Sequence, residues 1–120
     1  CGGCHNAANH GANVQGILFD IGTADADIRP DDQPLYTFRS LVTGEEVQST
    51  DPGLARVSGR FDDLNKFKVP TLRGLSTRAP YFHNGIAKDL RAVIDHYEEK
   101  LGFDFTEQEE RDLAAFLAAL

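Results

Sequence analysis

Methionine and tryptophan are absent from this 120-residue sequence, and cysteine occurs only twice, both times within the first four residues. Two thiols three positions apart close too small and strained a loop to staple a domain, so a disulfide-built scaffold is excluded. No apolar run approaches the ~20 residues that a helical membrane span requires. Basic residues are also scarce, 12 against 19 acidic, for a formal charge of -7. That balance argues against nucleic acid, whose phosphates need a basic face. It suits an acidic, solvated surface, and charge alone names no partner. Apolar residues at 41% leave enough material for one folded domain over 1–120, within the usual size of about 100–150 residues.

What is present starts at once. The first five residues read Cys1-Gly2-Gly3-Cys4-His5, the C-x-x-C-H spacing by which a c-type haem is attached. Each thiol adds across one vinyl group of the porphyrin, so the two must sit a short fixed distance apart. The adjacent histidine then ligates the iron as proximal base. Gly2 and Gly3 leave room for the ring edge. A zinc site would need two further ligands, for which His10 and His83 are available but no cysteine is. A thioredoxin-like C-x-x-C needs a strand before it and a helix after it. Haem c, one per chain, is the favoured reading, and its maturation outside the cytoplasm implies an exported, periplasmic protein. Because the first residue already belongs to the motif, the sequence is expected to be part of a longer chain.

The missing methionine now gains meaning, since the usual thioether ligand opposite the histidine is unavailable to the iron. Candidates for the distal position are His10, His83, His96 and the tyrosines. His10 follows the proximal ligand by five residues and is expected on the same side of the ring. His83, between Phe82 and Asn84, can line the pocket as an acid–base group without touching iron. His96 lies about 100° round its helix from Tyr97 and reads as a surface residue. Tyr97 falls in the middle of an apolar stripe. It is either a core tyrosine bonded to some backbone carbonyl or an iron ligand, whose phenolate would favour the ferric state.

Along the chain, residues 1–19 read as a turn leading into Ile17-Leu18-Phe19. From Asp20 to about Arg60 glycine, proline and aspartate punctuate a long stretch with little helical period, the kind of connection that wraps something large. Phe67–Gly85 reads FKVPTLRGLSTRAPYFHNG, where Pro70 and Pro80 oppose continuous helix. Leu90, Val93, Ile94, Tyr97 and Leu101 then trace one face of a helix from Asp89 to about Leu101, with Gly102 as its stop. A last helix begins at Thr106, where Glu109 completes a capping box, and Leu113, Phe116, Leu117 and Leu120 line its inner face.

These segments together, FKVPTLRGLSTRAPYFHNG, LRAVIDHYEEKLG and FTEQEERDLAAFLAAL, resemble the C-terminal half of bacterial di-haem cytochrome c peroxidases and the related MauG-like enzymes. Gly74 and Arg78 depart from the usual asparagine and threonine of the signature, and residues 20–55 match less specifically. The resemblance implies a mostly α-helical, cytochrome c-type fold with a long loop-rich insert. It implies that Cys1, Cys4 and His5 hold the C-terminal haem. The family's distal ligand stands fourteen residues after the histidine of P-Y-F-H, which is Tyr97 here, as in the MauG branch. The resemblance further implies a calcium ion held partly through the carbonyls of Arg78 and Pro80, and a second haem domain on the N-terminal side. Peroxide or a redox partner protein would be its counterpart, with this haem holding or relaying oxidising equivalents. A non-catalytic electron-transfer domain is the alternative. A helix that would cover Leu113, Phe116, Leu117 and Leu120 is expected ahead of Cys1.

Overall fold

Leu18–Phe19 (β1) pairs antiparallel with Phe67–Lys68 (β4), bringing together the two ends of a segment nearly fifty residues long. The computed structural model describes residues 1–8, 11 and 17–120, so His10 lies outside the described residues. The chain divides into two compact units. One comprises Gly16–Lys68; the other combines Cys1–Gln15 with Val69–Leu120.

In the middle unit, Tyr36–Arg39 (β2) and Glu46–Ser49 (β3) form an antiparallel hairpin with Tyr36 opposite Ser49 and Arg39 opposite Glu46. The Ser40 hydroxyl accepts from the Val42 and Thr43 amides, and Gly44 takes a left-handed φ of 78° to close the turn. A four-residue helix, Ala55–Ser58 (α1), and a 3-10 turn at Phe61–Asp63 follow. The buried residues here are largely polar: Thr23, Ser49, Thr50 and Asn65 surround Ala24. The Ser49 hydroxyl reaches the Ala24 carbonyl at 3.1 Å, the Asp51 carbonyl at 3.0 Å and Asn65 Oδ1 at 2.6 Å. Its single proton serves one of these acceptors at a time.

The terminal unit holds the two long helices, Leu90–Leu101 (α2) and Glu107–Ala118 (α3). Asp89 caps α2 by accepting from the Ala92 amide at 2.9 Å, and Gly102, at φ 68°, ends it in left-handed backbone. Thr106 and Glu109 form the reciprocal capping box of α3. Val69, Tyr81, Ala87, Ile94 and Leu117 make up the apolar interior. The two helices are also joined by charge: Arg91 pairs with Asp95 on its own helix and with the buried Glu110 of α3. Among the described residues no helix is long and apolar enough to cross a membrane.

A mostly α-helical, cytochrome c-type fold is therefore not what forms. Three helices, one of them a single turn, share the described residues with two two-stranded antiparallel sheets, a mixed α/β arrangement. The stretch expected as a loop-rich insert contains both strands of the hairpin. The physical reason is local. Tyr-Thr-Phe-Arg and Glu-Val-Gln-Ser pair through their backbones while most of their side chains face solvent, and the only alternation, Tyr36 and Phe38 against Thr37 and Arg39, spans four residues. The inner face of α3 is also narrower than its apolar residues suggest. Leu117 is buried, Leu113 and Leu120 are half-buried, and Phe116 is 56% exposed.

Candidate functional site

The cysteine motif folds as one tight turn. The Cys4 and His5 amides both donate to the Cys1 carbonyl, at 3.1 and 2.8 Å, so residues 1, 4 and 5 are brought to adjacent positions of a helical turn. Both thiols are free, Cys1 exposed and Cys4 partly so. A Cβ added at Gly2 or Gly3 would meet nothing within 4 Å. Free thiols one turn apart, a histidine beside the second, and open space over the two glycines fit a covalently attached porphyrin. Arg73 steadies the segment that follows, its guanidinium donating to the Ala8 carbonyl at 3.2 Å. Sequence reading does not single out Arg73, because a lone arginine in a turn carries no spacing signal.

Tyr97, on α2, is half-buried. Burial pushes its phenol above the ordinary value of 10.0, and the charge of a Cys4 thiolate close to it acts in the same direction. The structure thus brings Tyr97 and the cysteine motif together. Both effects favour the neutral phenol, and a cation near its oxygen would act in the opposite direction. A ferric iron is such a cation, and a Cys4 converted to a thioether no longer opposes the phenolate. Two thiols and a histidine on one turn, with a phenol on α2, are donor chemistry that fits a c-type haem.

His96 is not the surface residue that its helical position suggests. It is half-buried, with its ring 4.8 Å from that of Phe82 and 5.8 Å from that of Tyr97. Phe82 in turn lies 5.9 Å from Tyr97. The helical wheel places His96 off the apolar stripe correctly, but it cannot foresee that a ring from the preceding turn covers that flank.

That turn is built on Tyr81, whose amide donates to the Ala87 carbonyl at 2.7 Å and whose hydroxyl donates to the Leu75 carbonyl at 3.0 Å. Phe82 has a left-handed φ of 66° and Gly85 a φ of 73°. His83 sits between them with its side chain exposed, and Asn84 Oδ1 accepts from the Ile86 amide. Arg78 and Pro80 are exposed as well, the Arg78 guanidinium donating to the Thr71 carbonyl at 3.2 Å. A separate group of acids, Asp95, Glu98 and Glu110, lies together. Arg91 pairs with the first and third, and Glu98 accepts from the Phe105 amide.

Comparison with known proteins decides the family. A cytochrome-c peroxidase, IdrP1, of Pseudomonas sp. (strain SCT) is 36% identical over an alignment of 140 positions that takes in 100% of this chain and 36% of the relative. The chain belongs to the cytochrome-c peroxidase and MauG family. The methylamine utilization protein MauG of Methylorubrum extorquens is 42% identical over 65 residues, 45% of this chain and 18% of that protein. A solved MauG-like protein associated with microbial copper homeostasis superposes on 100% of this chain and 42% of its own, with a TM-score of 0.70 and 26% identity. No family model matches the sequence. The chain spans about a third of the length of that peroxidase.

Proposed function

We propose that this chain is a haem c redox domain of a di-haem, MauG-like oxidoreductase, which holds or relays oxidising equivalents for a second haem domain on its N-terminal side. The observation that carries the reading is the Cys1–His5 turn, with Tyr97 near enough to feel the charge of Cys4. When bound, haem supplies reversible one-electron chemistry. Cys1 and Cys4 would hold it as thioethers, and His5 would supply a nitrogen ligand to its iron. Tyr97 would supply an oxygen ligand, and the iron's charge would lower the proton affinity that burial raises. His83, exposed on its turn, is assigned the role of a proton donor or acceptor at the rim. The carbonyls of Arg78 and Pro80 are assigned to calcium, and peroxide or a redox protein is the expected counterpart. Export to the periplasm follows from the attachment chemistry.

The test uses the full-length, haem-loaded protein. Cys1→Ala or Cys4→Ala should weaken covalent haem retention on denaturing gels, and the double substitution should abolish it. Tyr97→Phe should remove the charge-transfer absorption of a phenolate-bound ferric haem. An unchanged spectrum in that variant would make Tyr97 a packing residue and leave the relay role without its main support. Oxidation of the reduced protein by peroxide separates the enzymatic reading from a non-catalytic electron carrier, which would stay inert.

A further inference from the structure

We infer that Phe82 is a positioning residue for Tyr97, its ring acting as the stop that fixes the direction of the phenol. The inference rests on the reading of Tyr97 as the distal ligand. Phe82, His96 and Tyr97 form a closed group of three rings: 4.8 Å and 57° between the first two, 5.9 Å and 66° between the first and third, 5.8 Å and 74° between the last two. These separations and tilts lie in the range of attractive edge-on aromatic pairs. A tyrosine side chain has only two torsions, and each has few wells. Phe82 and His96, only 4.8 Å apart themselves, stand together on one side of the tyrosine ring and close that side to it.

The backbone makes the case specific to residue 82. Its φ of 66° is one that glycine adopts freely and a bulky side chain resists. The same turn contains a second left-handed position, at φ 73°, and there the sequence does place glycine. A Cβ at Gly85 would approach Pro80 Cγ to 3.2 Å, so conformation and space both favour the bare residue. Where only backbone shape matters the turn uses glycine, and where it bears on the ring cluster the turn accepts a strained phenylalanine. Strain kept at a functional site is retained because the surroundings impose it. Here they do. Tyr81, immediately before, is 8% exposed and bonded through both its amide and its hydroxyl, and the Gly85 amide donates back to the Phe82 carbonyl at 3.4 Å. Phe82 is thus a ring mounted on a braced turn, pressed against the two residues of α2 that face it.

Two properties follow for the holoprotein. The phenol has one orientation relative to the motif, so the ferric iron shows one ligand field. Displacement of that phenol by an added ligand is held back as well, because the ring cannot swing toward the side that Phe82 and His96 occupy.

The experiment compares Phe82→Gly, Phe82→Leu, Phe82→Tyr and, as control, Tyr97→Phe in the full-length haem-loaded protein. It reads the low-temperature electron paramagnetic resonance of the ferric iron, the charge-transfer absorption, the rate of cyanide binding and the far-ultraviolet circular dichroism. Phe82→Tyr keeps a ring and should retain the wild-type signals. Phe82→Gly and Phe82→Leu should keep the circular dichroism but split or broaden the ferric signal. Cyanide should then bind roughly tenfold faster, in proportion to the ligand-off population. A single wild-type signal and unchanged cyanide rate in both would overturn the inference and leave the ligand reading intact. If Tyr97→Phe itself changes nothing, both fall. If glycine at 82 prevents folding, Phe82→Leu decides.

Discussion

Side chains at the site work against their own preferences, and it is at single residues that this can be measured. A non-glycine residue in left-handed backbone costs on the order of 1–3 kcal/mol, and Phe82 bears that cost beside the phenol it touches. Gly53 shows the opposite economy: at φ 56° a Cβ would come within 2.6 Å of the Lys66 carbonyl oxygen. Gly53→Ala should therefore destabilise the protein by more than about 1 kcal/mol, measured by denaturant titration, since neither the backbone angle nor the space allows a methyl. Ile94, 2% exposed, should cost about 2–5 kcal/mol when cut to alanine. At this scale much of the site is legible in sequence. The cysteine motif declares itself by spacing, and the inward position of Tyr97 follows from helical period. The involvement of His96 does not, because its neighbour is supplied by a turn whose left-handed residue no propensity foretells.

The helices are the most readable elements, since their ends are written in local chemistry. Asp89 and Gly102 bracket α2, and Thr106 with Glu109 opens α3. Thr106→Ala should cost about 1 kcal/mol by thermal unfolding. The Thr106 amide and hydroxyl both donate to the Glu109 carboxylate and hold its pKa below the ordinary 4.5. A carboxylate with a lowered folded pKa contributes stability that is present above the unfolded value and lost as pH falls through the folded one. Amide protection factors at the start of α3, taken relative to intrinsic exchange at each pH, should therefore fall below pH about 4.5. Glu109→Gln, which keeps an acceptor but cannot titrate, should remove that dependence on acid. An unchanged pH profile in this variant would assign the acid response elsewhere. The short strands are the unreadable elements. β2 and β3 have four residues each and bury Ser49 alone, so their pairing rests on backbone hydrogen bonds and the Ser40–Gly44 turn rather than on an apolar face.

For the whole chain, composition sets its acidity and the C-x-x-C-H and Phe67–Gly85 motifs set its kinship, while the division into two units stays hidden. A break in a chain is visible in sequence when a linker of distinct composition marks it, and here the boundaries fall at two-residue strands. The interior of the middle unit is equally hard to foresee, because hydroxyls and an amide fill positions where apolar residues are normally sought. Ser49→Ala should lower stability by about 1–3 kcal/mol, chiefly the cost of taking the hydroxyl donor from the buried Asn65 Oδ1, since the Ala24 carbonyl keeps the Thr50 amide. Hydrogen exchange at Ala24, Thr50 and Asn65 reports the loss directly.

The β1–β4 pair has a consequence for how such a chain can vary. It pins the segment between Phe19 and Phe67 at both ends, so residues added at an exposed turn within it, such as the hairpin tip at Leu41 and Val42, change little beyond the entropy of closing that loop. That entropy grows as a logarithm: doubling such a loop costs only about 0.6 kcal/mol. Lineages are thus free to lengthen or shorten the exposed turns of this stretch, and differences in length among homologues should concentrate between these two strands.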